Sequence, residues 1–170
     1  MSENEDFCEM ERYLIVSDTH GRTGELKKVL GRFERLDGLI HLGDLEAPPL
    51  SLERLGAMAG CPVTVVRGNC DGDLTLPLCR VVRLGRYQAF LTHGHRYGVR
   101  GGLADLVRTA RENDAQFAFY GHTHVGFLDT IDGITVCNPG SLSLPHDGQK
   151  SYVYVEVDAT GEVHLSRGIV

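Results

Sequence analysis

The sequence predicts a mixed α/β fold in which two β-sheets pack face to face with helices outside. Three observations predict it. In the first half, short β-branched runs alternate with segments of helical period, the pattern of parallel strands joined by right-handed crossovers. In the second half the apolar runs lie closer together and are separated by Gly-containing turns, which favours hairpins. At 170 residues and 42% hydrophobic content, the chain is the size of one domain and buries a core without staples.

The elements follow in order. Residues 13–16 (YLIV) form a buried strand, and Leu26, Val29, Leu30 and Phe33 then share one helix face. Residues 39–42 are a second strand, and Leu52, Leu55 and Ala59 mark a helix that ends before Pro62. Residues 63–66 (VTVV) are a third strand. Residues 79–84 and 87–91 make a hairpin around Gly85-Arg86, and residues 102–112 form a helix with Leu103, Leu106, Val107 and Ala110 on its apolar side. Residues 117–120 are a strand. Residues 127–131 and 134–137 are joined by Asp132-Gly133, a pair suited to a type I′ turn. Residues 151–157 alternate in character and pair with residues 163–165 across the turn near Gly161. A single domain over residues 1–170 is expected, with residues 1–11 a flexible extension.

Composition narrows the function. A net charge of −6 argues against a protein that grips long nucleic acid through many phosphate contacts. No apolar run approaches the roughly 18 residues that cross a bilayer, and the acidic first dozen residues lack the apolar core of a secretory signal. A cytoplasmic location is expected. Cys8, Cys61, Cys70, Cys79 and Cys137 fit neither a disulfide framework nor a zinc ribbon, so they read as reduced thiols.

Polar clusters punctuate the strand ends: Asp18-Thr19-His20, Gly43-Asp44, Gly68-Asn69-Cys70-Asp71, His93-Gly94-His95 and Gly121-His122-Thr123-His124. Carboxylates past parallel strands lie at the sheet edge where α/β proteins place their sites. In extended chain, the two-residue spacing of Asp18 and His20 puts both on one face. Each cluster alone reads equally as a turn; together they supply the ligands of two divalent cations. Asp18, His20, Asp44 and His124 surround one, and Asp44, Asn69, His93 and His122 the other, with Asp44 shared. Two carboxylates against two dications leave a charge of about +2, or +1 with a bridging hydroxide, which still attracts phosphate. Oxygen and nitrogen ligands without thiolate favour manganese, iron, cobalt, nickel or zinc over calcium; manganese is the first expectation.

This ordered set, with Asn138-Pro139-Gly140-Ser141, resembles the calcineurin-like metallophosphoesterase superfamily and its small YfcE-like phosphodiesterase branch, over about residues 13–157. The resemblance implies a four-layer α/β/β/α sandwich of two mixed sheets flanked by helices. It also implies phosphodiester hydrolysis by in-line attack of a metal-bridging hydroxide, and a homodimer or homotetramer acting on a small phosphate ester. Where many relatives carry a leaving-group histidine this chain has Cys70, as its branch commonly does. Catalytic roles are expected for Asp44, Asn69, Cys70 and His95, with Cys70 either a weak acid or a small filler and His95 either orienting substrate or structural. Activated aryl diesters should then be the better substrates. The Asp-Arg-Gly continuation of phosphoprotein phosphatases is absent after Gly43-Asp44. A protein-binding scaffold like the small subunit of retromer, and a phosphomonoesterase or nuclease acting on short nucleotides, are the alternatives. His41 reads as a packed core residue, Arg67, Arg96 and Arg100 as solvent-facing or phosphate-binding, and His146 and His164 as surface histidines.

Overall fold

The computed structural model describes residues 10–46 and 51–170. Strand β1 (Glu11–Val16) is followed by α1 (Gly24–Leu30), β2 (Gly38–His41), α2 (Ser51–Ala59) and β3 (Val63–Val65). Then come β4 (Cys79–Leu84), β5 (Tyr87–Thr92), a 3₁₀ turn (His95–Tyr97), α3 (Ala104–Glu112), β6 (Phe117–Phe119), β7 (Gly126–Ile131), β8 (Ile134–Pro139), β9 (Ser151–Val157) and β10 (Val163–Ile169). Two five-stranded sheets result, ordered β10-β9-β1-β2-β3 and β4-β5-β6-β8-β7. Each is mixed: β1, β2 and β3 run parallel, as do β5, β6 and β8, while the hairpins are antiparallel.

Three apolar layers account for the packing. Ile15, Ile40, Val153 and Val155 of the first sheet meet Ala89, Leu91, Phe117 and Phe119 of the second. Alternate residues of the first sheet, Leu14, Val16 and Leu39, face Leu26, Val29 and Leu30 of α1 and Leu55 of α2. Phe90, Ala118 and Val136 of the second sheet face Leu106, Val107 and Ala110 of α3. A strand between two apolar layers needs hydrophobic residues on both faces, which is why the inner strands read as continuous apolar runs. The four-layer sandwich predicted above is therefore present.

Boundaries differ locally. Strand β1 opens at Glu11, which pairs with Val157 and so orders residues expected to belong to the flexible extension; residues 1–9 lie outside the described residues. Helix α1 closes at Leu30, where the backbone tightens as the Arg32 and Phe33 N–H groups donate to the Val29 and Leu30 carbonyls, and Phe33 reaches the sheet from this turn, stacking on Tyr154 at 4.8 Å. Helix α3 begins at Ala104, with Leu103 at its N-cap position. Strand β10 runs on to Ile169 because β9 supplies hydrogen-bonding partners along its whole length. Asp132 and Gly133 both have positive φ, 49° and 81°, as a type I′ turn requires.

Candidate metal centre

The loops that leave the carboxyl ends of β1, β2, β3, β5 and β6 carry Asp18, Asp44, Asn69, His93 and the His122/His124 pair. Parallel pairing puts these ends side by side within each sheet, and packing the sheets face to face brings the two edges together. The backbone then turns the side chains inward. Asp18, His20, Asp44, Glu46, His122 and His124 all have φ between 46° and 68°. This left-handed region costs a non-glycine residue about 1 kcal/mol or more, and such residues gather where a site requires them. Asp18 and His20 therefore share a face through two left-handed turns, not through the extended chain expected from their spacing. Glycine is needed beneath Asp44: a Cβ on Gly68 would overlap the Asp44 side chain.

The ring nitrogens make the case for a cation. Nδ1 of His93 lies 2.7 Å from the Leu42 carbonyl, Nδ1 of His124 2.7 Å from the Leu144 carbonyl, and Nδ1 of His20 2.6 Å from a Glu46 carboxylate oxygen. These oxygens only accept, so each Nδ1 donates and each neutral ring presents a lone pair at Nε2. Those lone pairs converge on other acceptors. His20 and His124 oppose Nε2 to Nε2 at 3.3 Å, and His93 Nε2 stands 3.1 Å from Asn69 Oδ1 and 3.3 Å from Asp44 Oδ2. Buried Asp18 Oδ1 accepts no hydrogen bond in this tautomeric state, although His124 Nε2 is 3.0 Å away and those of His20 and His93 are 3.9 Å away. Lone pairs aimed at lone pairs in a buried site repel unless a cation or an added proton lies between them. One ligand atom from each of Asp18, His20, Asp44 and His124 lies within 4.8 Å of the others.

The second constellation is less closed. Asp44, Asn69 and His93 meet directly, and the His122 ring lies 5.1 Å from that of His93. His122 Nε2, however, accepts a hydrogen bond from Arg100 Nε at 3.1 Å. His95 lies beside both rings, at 5.4 Å from His93 and 6.2 Å from His122, with its buried Nδ1 unpartnered. Cys70 is exposed; its backbone N–H donates to Asp44 Oδ1 at 2.8 Å, and its thiol accepts from the Asn69 amide. The expectation that it is a small buried filler fails, because Gly68-Asn69 carries it to the rim.

Several supports were not legible as such. Asp71 accepts from the backbone N–H groups of Asp44 (2.9 Å), Glu46 (2.8 Å) and Gly68 (2.8 Å), binding two ligand loops together. The hydroxyls of Ser141 and Ser143 both donate to the Asp18 carbonyl, at 2.8 and 3.0 Å. Asn138 donates to the Gly121 carbonyl at 2.9 Å and to the Thr123 hydroxyl at 3.0 Å, fixing the His122/His124 loop. His41 is fully buried and packed as expected, accepting from Gly43 N–H and donating to Thr19 Oγ1. His146 departs from the surface expectation only in stacking on His124, with ring centroids 4.6 Å apart. His164 pairs with Asp158 at the surface, far along β10 from the cluster.

Charge follows geometry. Burial alone would raise Asp44 and Asp18, but the imidazole partners His93 and His124 hold both carboxyls below the usual range. Burial alone would lower His93, and Asp44 and Asp18 raise it; the Asp18 contact raises His124 despite burial. Burial pushes His41 down to about 4, and burial with the neighbouring His93 charge pushes His122 down to about 4 and His95 down as well. Burial and the Asp44 charge push the Cys70 thiol up to about 11.

Two expected results arise here. Without metal, the low-pKa set (His41, His95, His122) contributes stability that is complete above the ordinary value of 6.5 and is lost as pH falls toward 4. The raised set (His93, His124) contributes stability present below 6.5 and lost as pH rises through the raised values. The melting temperature of the metal-free chain should therefore peak at about pH 6.5 and fall on both sides, with His41 alone accounting for on the order of 3 kcal/mol on the acid side. Metal should abolish the alkaline decline, because bound histidines carry no proton to lose; thermal scans with chelator and with manganese check this. Separately, Glu46→Ala removes the acceptor that fixes the His20 tautomer. Metal affinity measured by calorimetry should fall about tenfold, and less in Glu46→Gln, whose amide oxygen still accepts.

The sequence model of the calcineurin-like phosphoesterase superfamily domain matches residues 12–160. The chain is 36% identical over 137 residues to the probable metallophosphoesterase YsnB of Bacillus subtilis, covering 78% of this chain and 75% of that one. It is 30% identical over 181 aligned positions to phosphodiesterase YfcE of Escherichia coli, covering 92% and 94%. Vacuolar Protein Sorting 29 from Cryptosporidium parvum superposes with a TM-score of 0.74 at 17% identity, over 96% of this chain and 99% of that one, a likeness of fold alone.

Proposed function

The chain belongs to the calcineurin-like phosphoesterase superfamily, and from that premise we propose that it is a two-metal phosphodiesterase that acts by in-line displacement at phosphorus. The observation that carries the reading is the set of opposed Nε2 lone pairs and carboxylate oxygens around Asp18 and Asp44, a convergence of electron pairs that suits bound cations. Asp18, His20, Asp44 and His124 would hold one ion, and Asp44, Asn69, His93 and His122 the other. Bound divalent ions supply Lewis-acid charge that acidifies water and neutralises phosphoryl oxygens. Manganese is the first candidate for both positions.

The chain's own residues set the limits of the chemistry. Three of the four ligand histidines, His20, His93 and His124, have their Nδ1 protons committed to fixed partners, which suits them to act as ligands and not bases. Cys70, pushed up to about 11, keeps its proton at neutral pH and is a weak leaving-group acid. His95, pulled below its ordinary value by burial and by His93, is neutral there, and its one unpartnered nitrogen, Nδ1, is buried. Diesters whose leaving group needs no proton, such as aryl diesters, are the substrates this set handles best. The same proposal includes a cytoplasmic location and assembly into a homodimer or homotetramer, which light scattering checks; among the described residues no helix is long and apolar enough to cross a membrane.

The test is a metal-stripped preparation reloaded with manganese, iron, zinc, nickel or cobalt and assayed on bis(4-nitrophenyl) phosphate, phosphomonoesters and short oligonucleotides. Turnover of the aryl diester that appears only on reloading supports the reading. A chain that binds metal yet cleaves none of these esters would favour the scaffold alternative.

A further inference from the structure

Charge around the site is mixed. Glu46 and Asp71 lie toward His20 and Cys70, and their charges join that of Asp44 in acting on the thiol. Three arginines stand toward His93, His95 and His122. Arg100 Nε donates to His122 Nε2 at 3.1 Å, and its Nη2 donates to the His122 carbonyl at 3.3 Å. Arg96 follows His95 directly in the same loop, and Arg67 precedes Gly68-Asn69; both act electrostatically on His95. None of the three has a carboxylate within ion-pair distance among the described residues, although the chain as a whole carries −6. Arg67 donates to the Leu74 carbonyl at 3.3 Å and lies near enough to Asp73 to lower its carboxyl.

The Arg100 contact cannot survive metal loading. A neutral imidazole has one lone pair, and Arg100 occupies that of His122 at Nε2. A cation taken at Nε2 displaces the guanidinium directly. A cation taken at Nδ1 moves the ring proton to Nε2, which then has nothing to accept with. Either way Arg100 keeps only a carbonyl and swings free at the rim, an exposed guanidinium on a stem long enough to meet an incoming ligand.

We propose that Arg100, supported by Arg96 and Arg67, receives a second anionic group of the substrate, so that the preferred substrates are phosphodiesters bearing a further phosphate besides the scissile one. The metal ions already answer the single charge of the scissile diester; three further positive charges on one side answer more negative charge than that group has. Guanidinium is also the side chain whose paired N–H donors match phosphate oxygens. This inference rests on the two-metal reading above.

The experiment compares thymidine 5′-(4-nitrophenyl phosphate) with its 3′-phosphorylated form, which share leaving group and nucleoside and differ by one phosphate. In the metal-loaded chain, kcat/KM should be at least about tenfold higher for the phosphorylated substrate, the difference lying in KM. Arg100→Met should remove most of that preference and Arg100→Lys should keep part of it. A second readout needs no turnover: calorimetric binding of 4-phosphonobenzoate should exceed that of phenylphosphonate, and the excess should shrink in Arg100→Met. Hydrolysis of both substrates at equal efficiency, or a preference untouched by Arg100→Met, overturns the inference and leaves the diesterase reading standing. Absence of any turnover overturns that reading instead, and the phosphonate pair then still decides the role of Arg100.

Discussion

Replacing Asp44 with asparagine is expected to lower kcat on an aryl phosphodiester by about three orders of magnitude and to reduce the bound metal from two ions per chain to one or none. Asp44 is the carboxylate assigned to both constellations, with Oδ2 3.3 Å from His93 Nε2, closer than Asp18 comes to that ring, and 3.9 Å from His20 Nε2. Its other oxygen is tied to the Cys70 N–H at 2.8 Å, so the side chain cannot rotate to serve one side only. Asparagine keeps the shape and removes the charge. The His93 ring would then face an uncharged amide oxygen from Asn69 and another from position 44, with Asp18 the only carboxylate left among the proposed ligands. Folding should survive, because the loop is held by Asp71 through backbone groups that the substitution leaves in place. Elemental analysis and single-turnover kinetics on the same preparation check the result; a variant with two ions and an undiminished rate would sink the shared-ligand assignment.

The fold was legible wherever one physical rule decided it. Inner strands between two apolar layers must be apolar on both faces, so β1, β2 and β6 announced themselves, and Asp132-Gly133 specified its own hairpin. Helix α1 was overrun because the face periodicity of Phe33 continues past Gly31, and the apolar pattern does not record that the backbone has already tightened into a turn. The clustering of the candidate ligands was legible from residue type and strand-end position together. Their backbone was not: aspartate and histidine give no sign of the left-handed region in the way glycine does, so the inward turn at Asp18, His20, Asp44 and His124 is visible only when both sheets are assembled. Supports were hidden for a related reason. Ser141 and Ser143 reach the Asp18 carbonyl across more than 120 residues of chain, and no local pattern encodes a contact at that separation. Asp71 looked like an ordinary turn residue because the chemistry that makes an aspartate a turn former also lets it hold neighbouring loops.

Asp71 gives the second large effect, and it separates support from ligation. Asp71→Ala removes an acceptor shared by three backbone N–H groups from two loops, at 2.8 to 2.9 Å. Hydrogen bonds to a carboxylate contribute more than neutral ones, and the site is only partly buried, so a stability loss of roughly 2 to 4 kcal/mol is expected in the metal-free chain. Activity should fall by about two orders of magnitude, because the loop bearing Asp44 loses its tie to Gly68, against which that carboxylate is packed with no room to spare. Metal should recover part of the lost stability, since ions bind the folded form alone, and excess manganese should recover part of the rate. Asp71→Asn keeps one carbonyl oxygen and should fall between wild type and alanine on both measures. These recoveries distinguish a positioning residue from a ligand: Asp44→Asn should gain nothing from added metal, whereas Asp71→Ala should. Chemical denaturation and rate measurements across a manganese titration supply both numbers, and a rate in Asp71→Ala that manganese leaves unchanged would show that the loop tie does not position Asp44.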